Sequence, residues 1–164
     1  MGEGLGGAAT RWPAVPAVYG WLRLDRRGRW LLRDPEGGVF GPIGNAALNG
    51  FIARHYFRES GGRWYFQNGP QRVYVALDYA PLVVRLDEAG LRDHCGRSVG
   101  PAEPMLDDEG SVLFSCAGTL ALLDDRDLAA YADLVGDAVE GLPRVARASL
   151  AGRFGFDPAP RPPS

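Results

Sequence analysis

The sequence predicts an α+β fold rich in β: an antiparallel meander of hairpins with two or three short helices packed on the sheet. Three observations carry this. Leu-Asp-x-x-Gly recurs at 24–28, 86–90 and 106–110, each time leading into strand-like residues. Residues 63–78 alternate in character on both sides of Asn68-Gly69-Pro70-Gln71. Clear helical spacing is confined to 45–57 and 124–136. Hairpins in series with few helices between them fit an antiparallel sheet with helices on one face. A small all-β barrel with helical additions is the alternative.

Each element has a local reason. In the recurrent pattern, Asp at the start of a turn accepts hydrogen bonds from the backbone just ahead. The closing Gly takes the left-handed conformation without steric cost. VYGWLRLD and RWLLRD therefore pair across residues 26–28, and LVVRLD pairs with LRDHC across 88–90. The third turn joins a short strand near Met105 to SVLFSC, 111–116. FRESGGRWY, 57–65, is a looser version of the same turn. In the 63–78 hairpin, alternation puts Trp64 and Phe66 on one face with Val73, Val75 and Leu77, and turns Tyr65 and Tyr74 to the other. Asn45 caps a helix over 45–57 carrying Leu48, Phe51, Ile52 and His55 or Tyr56 at helical spacing. Asp124 or Asp125 caps another, which Gly136 closes. A weaker helix is expected over 143–150, with Pro143 at its first position.

Length and composition set the organisation. At 164 residues, 46% apolar and 23% charged, the chain reads as one ordinary domain. Such a chain buries roughly two-thirds of its unfolded surface and needs no metal or disulfide staple. Residues 1–16 are expected to be a disordered arm, 17–136 a single β-rich domain, 137–156 a stretch with a C-terminal helix, and 157–164 a Pro-rich extended tail. MGEGLGGAATRWP does not read as a basic stretch followed by an apolar one, and no apolar run approaches the length of a membrane span, so the location expected is the cytoplasm.

The formal charge of −2 argues against a dedicated nucleic-acid binder. All 18 basic residues are Arg, which removes any chemistry that needs lysine. Cys95 and Cys116 are too few for a disulfide framework or a Cys-rich zinc site. GRSVG, 96–100, matches the nucleophile-elbow pattern, but Pro101 and Pro104 follow where a helix must start. Both histidines, His55 and His94, precede Ser98, which is the wrong order for that fold. GEGLGG, 2–7, has no room for the strand that a dinucleotide fingerprint requires. His94 and Cys95 are adjacent and would point to opposite faces of a strand. The acids at 107–109 and 124–127 read as turn and cap chemistry rather than as a cation site. No catalytic residue, metal site or cofactor is assigned.

Taken together, VYGWLRLDRRGRW, NAALNGFIARHYF, GRWYFQNGPQRVYVALDYAP, LDDEG and LLDDRDLAAYAD resemble a family of small bacterial proteins of unknown function, mainly from proteobacteria. The resemblance covers about residues 17–135 and implies a compact cytosolic bacterial protein. It carries over no catalytic residue.

The candidate functional surface is the second face of the 63–78 hairpin. Arg63, Tyr65, Arg72 and Tyr74 interleave guanidiniums with aromatic rings, and Tyr and Arg are enriched in interface cores. The function expected is a non-enzymatic module that binds another protein or a second copy of itself, with no membrane partner and nucleic acid disfavoured. Two alternatives are an enzyme or small-molecule binder with His55, Asp78 or His94 converging on a pocket, and a single-stranded nucleic-acid platform.

Overall fold

The computed structural model describes residues 12–164. The readings placed on residues 1–11, which are the glycine motif and most of the arm, lie outside the described residues. The chain divides into two compact units, the first formed by residues up to Asp25, Arg29–Asp78 and Phe156–Ser164, the second by Arg26–Gly28 and Tyr79–Gly155. Each unit contains one mixed β-sheet, and three short α-helices complete the fold, so the class is α+β and β-rich.

The first sheet has six strands: β1 (Ala17–Leu24), β2 (Trp30–Arg33), β3 (Phe40–Pro42), β4 (Tyr56–Arg58), β5 (Trp64–Asn68) and β6 (Gln71–Leu77). Their spatial order is β3-β2-β1-β6-β5-β4. All neighbours are antiparallel except β1 and β6, which run parallel with Val18 opposite Val73 and Leu24 opposite Leu77. The meander expectation did not include this pair. A parallel pair needs a long crossover, and here β2, β3, helix α1 (Ala46–Arg54), β4 and β5 all intervene.

Helix α1 begins where Asn45 accepts a hydrogen bond from the Leu48 amide at 3.0 Å. It stops at Arg54, with His55 as its cap. Tyr56, which continues the helical spacing in sequence, and Phe57 instead pair with Phe66 and Tyr65 across β4 and β5. Phe66 is fully buried between Trp12 and Phe51, at ring distances of 5.8 and 5.6 Å. Leu22, Ile52, Val73 and Val75 are fully excluded from solvent in the same unit. After the second unit's sequence, the chain returns to the first. Phe156 is buried, the Asp157 amide donates to Gly62 O, and the Leu77 amide donates to Pro158 O.

The second sheet orders β7 (Leu82–Asp87), β8 (Gly90–Asp93), β9 (Glu103–Leu106), β10 (Val112–Cys116) and β11 (Thr119–Leu123) as β8-β7-β11-β10-β9. β7 and β11 are its parallel pair. Helix α2 (Leu128–Val135) packs Tyr131 edge-on against Phe114 at 5.5 Å. Its approach is a short 3-10 turn, Asp125–Asp127, whose capping residue Asp124 accepts from the Arg126 amide. The third helix, α3 (Leu150–Phe154), forms later than the spacing predicts and follows a 3-10 turn at Arg147–Ser149.

The recurrent turns form as their chemistry requires. Asp25 accepts from the Arg29 amide, Asp87 from that of Ala89, and Asp107 from those of Glu109 and Ser111. Gly28, Gly90 and Gly110 take φ of 76°, 127° and 84°. In the 63–78 hairpin, Asn68 pairs with Gln71, so the loop is Gly69-Pro70 and only Gly69 carries positive φ.

Candidate functional site

β4, β5, β6 and β1 together carry a row of aromatic rings on one face of the first sheet. Phe57 lies beside Tyr65 at 6.0 Å between centroids, and Tyr65 lies beside Tyr74 at 6.0 Å. Tyr19 stacks on Tyr74 at 4.7 Å with the planes 8° apart. Two guanidiniums lie over the row: Arg63 over Tyr74 at 4.5 Å and Arg72 over Tyr65 at 4.2 Å. The structure therefore brings Arg63, Tyr65, Arg72 and Tyr74 together. Tyr65 and Tyr74 are only 9% and 5% exposed, because neighbouring rings and the Arg side chains close over them.

The centre of this arrangement is Glu59, which sequence reasoning did not single out. One carboxylate oxygen accepts from Arg72 at 2.7 Å and from the Tyr74 hydroxyl at 2.6 Å. The other accepts from Arg63 Nε at 2.7 Å and pairs with its Nη2 at 2.6 Å. Burial alone would raise the Glu59 pKa. Hydrogen bonds from Tyr74 and Arg63 outweigh it and hold the carboxyl below its ordinary value. Burial, and then the bond to Glu59, push the Tyr74 hydroxyl up. The signal for Glu59 lay in the loose turn FRESGGRWY. Glu59 takes the place of Asp and pairs with the residue four positions on, as Asp25 does with Arg29 at 2.7 Å.

Two guanidiniums share this one carboxylate, so the cluster keeps an excess positive charge. Arg72 is 42% exposed on its side chain. Next to it, on the edge strand β4, Phe57 is 41% exposed. The face is thus a closed lattice of rings and guanidiniums with an open aromatic margin.

The remaining candidates are occupied elsewhere. His55 Nδ1 lies 2.9 Å from Phe51 O, and Asp78 pairs with Arg23 at 2.8 Å, both in the first unit. His94, in the second, accepts from the Val83 amide at 3.2 Å, and burial lowers its pKa to about 4. Burial pushes the Cys95 thiol up to about 12 and raises that of Cys116, so neither is a thiolate at neutral pH. Ser98 of the GRSVG stretch is exposed, and no helix follows it. The acids at 124–127 are taken by arginines: Asp124 by Arg126, Asp125 by Arg27, and Asp127 by Arg85. No group of three or more metal-ligating side chains occurs among the described residues. Within them, no helix is long and apolar enough to cross a membrane.

Fold and face together define a β-rich α+β protein with an arginine–tyrosine surface on one sheet. The chain belongs to the family DUF2944, described as protein of unknown function (DUF2946), whose profile matches residues 1–161. This agrees with the resemblance drawn from the sequence. Among solved structures, a DUF1285 family protein from Silicibacter pomeroyi DSS-3 shares the fold. It has a TM-score of 0.51 and 23% identity, over 75% of this chain and 73% of that one. A DUF1285 family protein from Shewanella baltica OS155 aligns with a TM-score of 0.47 and 15% identity, over 68% of this chain and 90% of that one. No curated protein matches the chain.

Proposed function

We propose that this chain is a non-enzymatic cytoplasmic binding module, which engages another protein or itself through the face of Arg63, Tyr65, Arg72 and Tyr74. The observation that carries the reading is the open margin. Phe57 is an exposed aromatic on an edge strand, continuous with rings that two guanidiniums already order. Rings and guanidiniums held in place lose little conformational freedom on binding, which favours affinity. Aromatic and Arg side chains are also the groups that dominate interface energetics.

The test is affinity capture from an extract of the host, with a nuclease-treated arm, using wild type, Phe57→Ser and Arg72→Gln. A stoichiometric protein that survives nuclease and is lost with both variants supports the reading. So does self-association lost with both. A chain that stays monomeric and retains nothing sinks it.

One observation favours a second reading. The first unit has a shallow groove of about 490 Å³ lined by Leu32, Val39, Phe40, Ile43 and Leu48, with Asn45 at the start of α1. Its volume falls in the range of small-molecule sites. A thermal-shift screen against small apolar acids and amides that raises Tm, with the rise lost in Phe40→Ala, would favour that function.

A further inference from the structure

We propose that the occupant of the Phe57–Arg72 face is a segment of a second copy of this chain: Asp133–Glu140, from the end of α2 and the 3-10 turn after it (Gly136–Gly141). The inference rests on the binding-module reading and names its partner.

Three observations converge. The first is the charge of the receiving face. Arg63 and Arg72 share Glu59, so the face offers unspent positive charge beside exposed Phe57. Two copies of this face set against each other would oppose like charges, which is unfavourable. The natural complement is an acidic segment with an apolar centre.

The second is that the second unit carries such a segment. Asp133, Asp137 and Glu140 are exposed and make no ion pair among the described residues. No basic residue occurs between Arg126 and Arg144. The acids just upstream behave differently, because Asp124, Asp125 and Asp127 are each neutralised by an arginine. Arginine pairing is thus the rule in this neighbourhood, and it lapses over this one stretch.

The third is the apolar partner within that stretch. Leu134 is 71% exposed and sits among the unpaired acids. Phe57 and Leu134 are two of the few exposed large apolar side chains on the described surface. Each is bordered by charge of opposite sign. Burying Phe57 against Leu134, with Arg72 and Arg63 meeting the acids, would give an apolar centre with a charged rim, the usual anatomy of an interface. The contact is heterologous: one patch meets a different patch on the next copy.

The experiment is sedimentation velocity on the full chain over a wide concentration range, at low and high salt. Three variants accompany it: Phe57→Ser, Arg72→Gln, and the combination Asp133→Asn, Asp137→Asn and Glu140→Gln. Circular dichroism melts confirm that each is folded. Wild type should associate, less so in high salt. Each variant should weaken association roughly tenfold or more. Mixing Phe57→Ser with the triple variant should restore one contact, because the first keeps its acidic segment and the second its aromatic face. A monomeric wild type overturns the proposal. So does a variant that associates like wild type, or a mixture no better than its components. If the monomeric chain instead captures a different protein through Phe57, this inference fails while the binding-module reading stands.

Discussion

Glu59 accepts hydrogen bonds from Arg63 ahead of β5 and from Arg72 and Tyr74 on β6, all between 2.6 and 2.7 Å. Its position in the β4–β5 turn explains why alternation did not reveal it. Of the four predicted residues, Tyr65, Arg72 and Tyr74 sit on strands and Arg63 directly precedes one, so alternation of side chains between faces reaches them, whereas a turn residue obeys no such period. Removing its charge leaves two guanidiniums side by side without a counter-ion. Glu59→Gln should therefore destabilise the protein by about 1–3 kcal/mol, read from urea unfolding with little change in slope. The pH dependence follows from the depressed folded value. The contribution is complete above the ordinary glutamate value of 4.5 and fades as pH falls through the lower folded one. The Gln variant should lack that part of the acid loss.

Turns were the most legible elements because their chemistry is local. An Asp, two residues and a Gly carry their own hydrogen bonds and their own backbone requirement, whatever the sheet does. The parallel pairs β1–β6 and β7–β11 were not legible, since they join segments distant in sequence and no local turn marks them. The end of α1 was misplaced for a similar reason. Tyr56 fits a helix by spacing, yet it and Phe57 find cross-strand partners in Phe66 and Tyr65. The turn glycines also differ among themselves. Gly28 and Gly110 both have positive φ, yet a β-carbon at Gly28 would stand 2.7 Å from that of His94, while one at Gly110 meets nothing within 4 Å. Gly110→Ala should cost about 1 kcal/mol from backbone strain. Gly28→Ala should cost clearly more, on the order of 2–4 kcal/mol, because the backbone strain is joined by a clash. Parallel thermal melts check the order.

At the scale of the whole molecule, acid stability should show two windows. His94 has a folded value of about 4 against an ordinary 6.5. The unfolded chain therefore takes up this proton first, and stability falls as pH drops from 6.5 toward 4. His94→Gln should flatten that limb and leave intact the lower one, to which Glu59, Asp87, Asp107, Asp124 and Asp127 all contribute through depressed folded values, as measured by unfolding at a series of pH values. The chain's return to its first unit bears on how it is made. Leu77 and Gly62 find their backbone partners in Pro158 and Asp157, residues that a ribosome adds only after the second unit's sequence is complete. While the chain is being translated, the first sheet therefore waits with that corner open. The unit begun first is the one finished last, and its exposed strand ends are what a chaperone at the tunnel exit would have to shield.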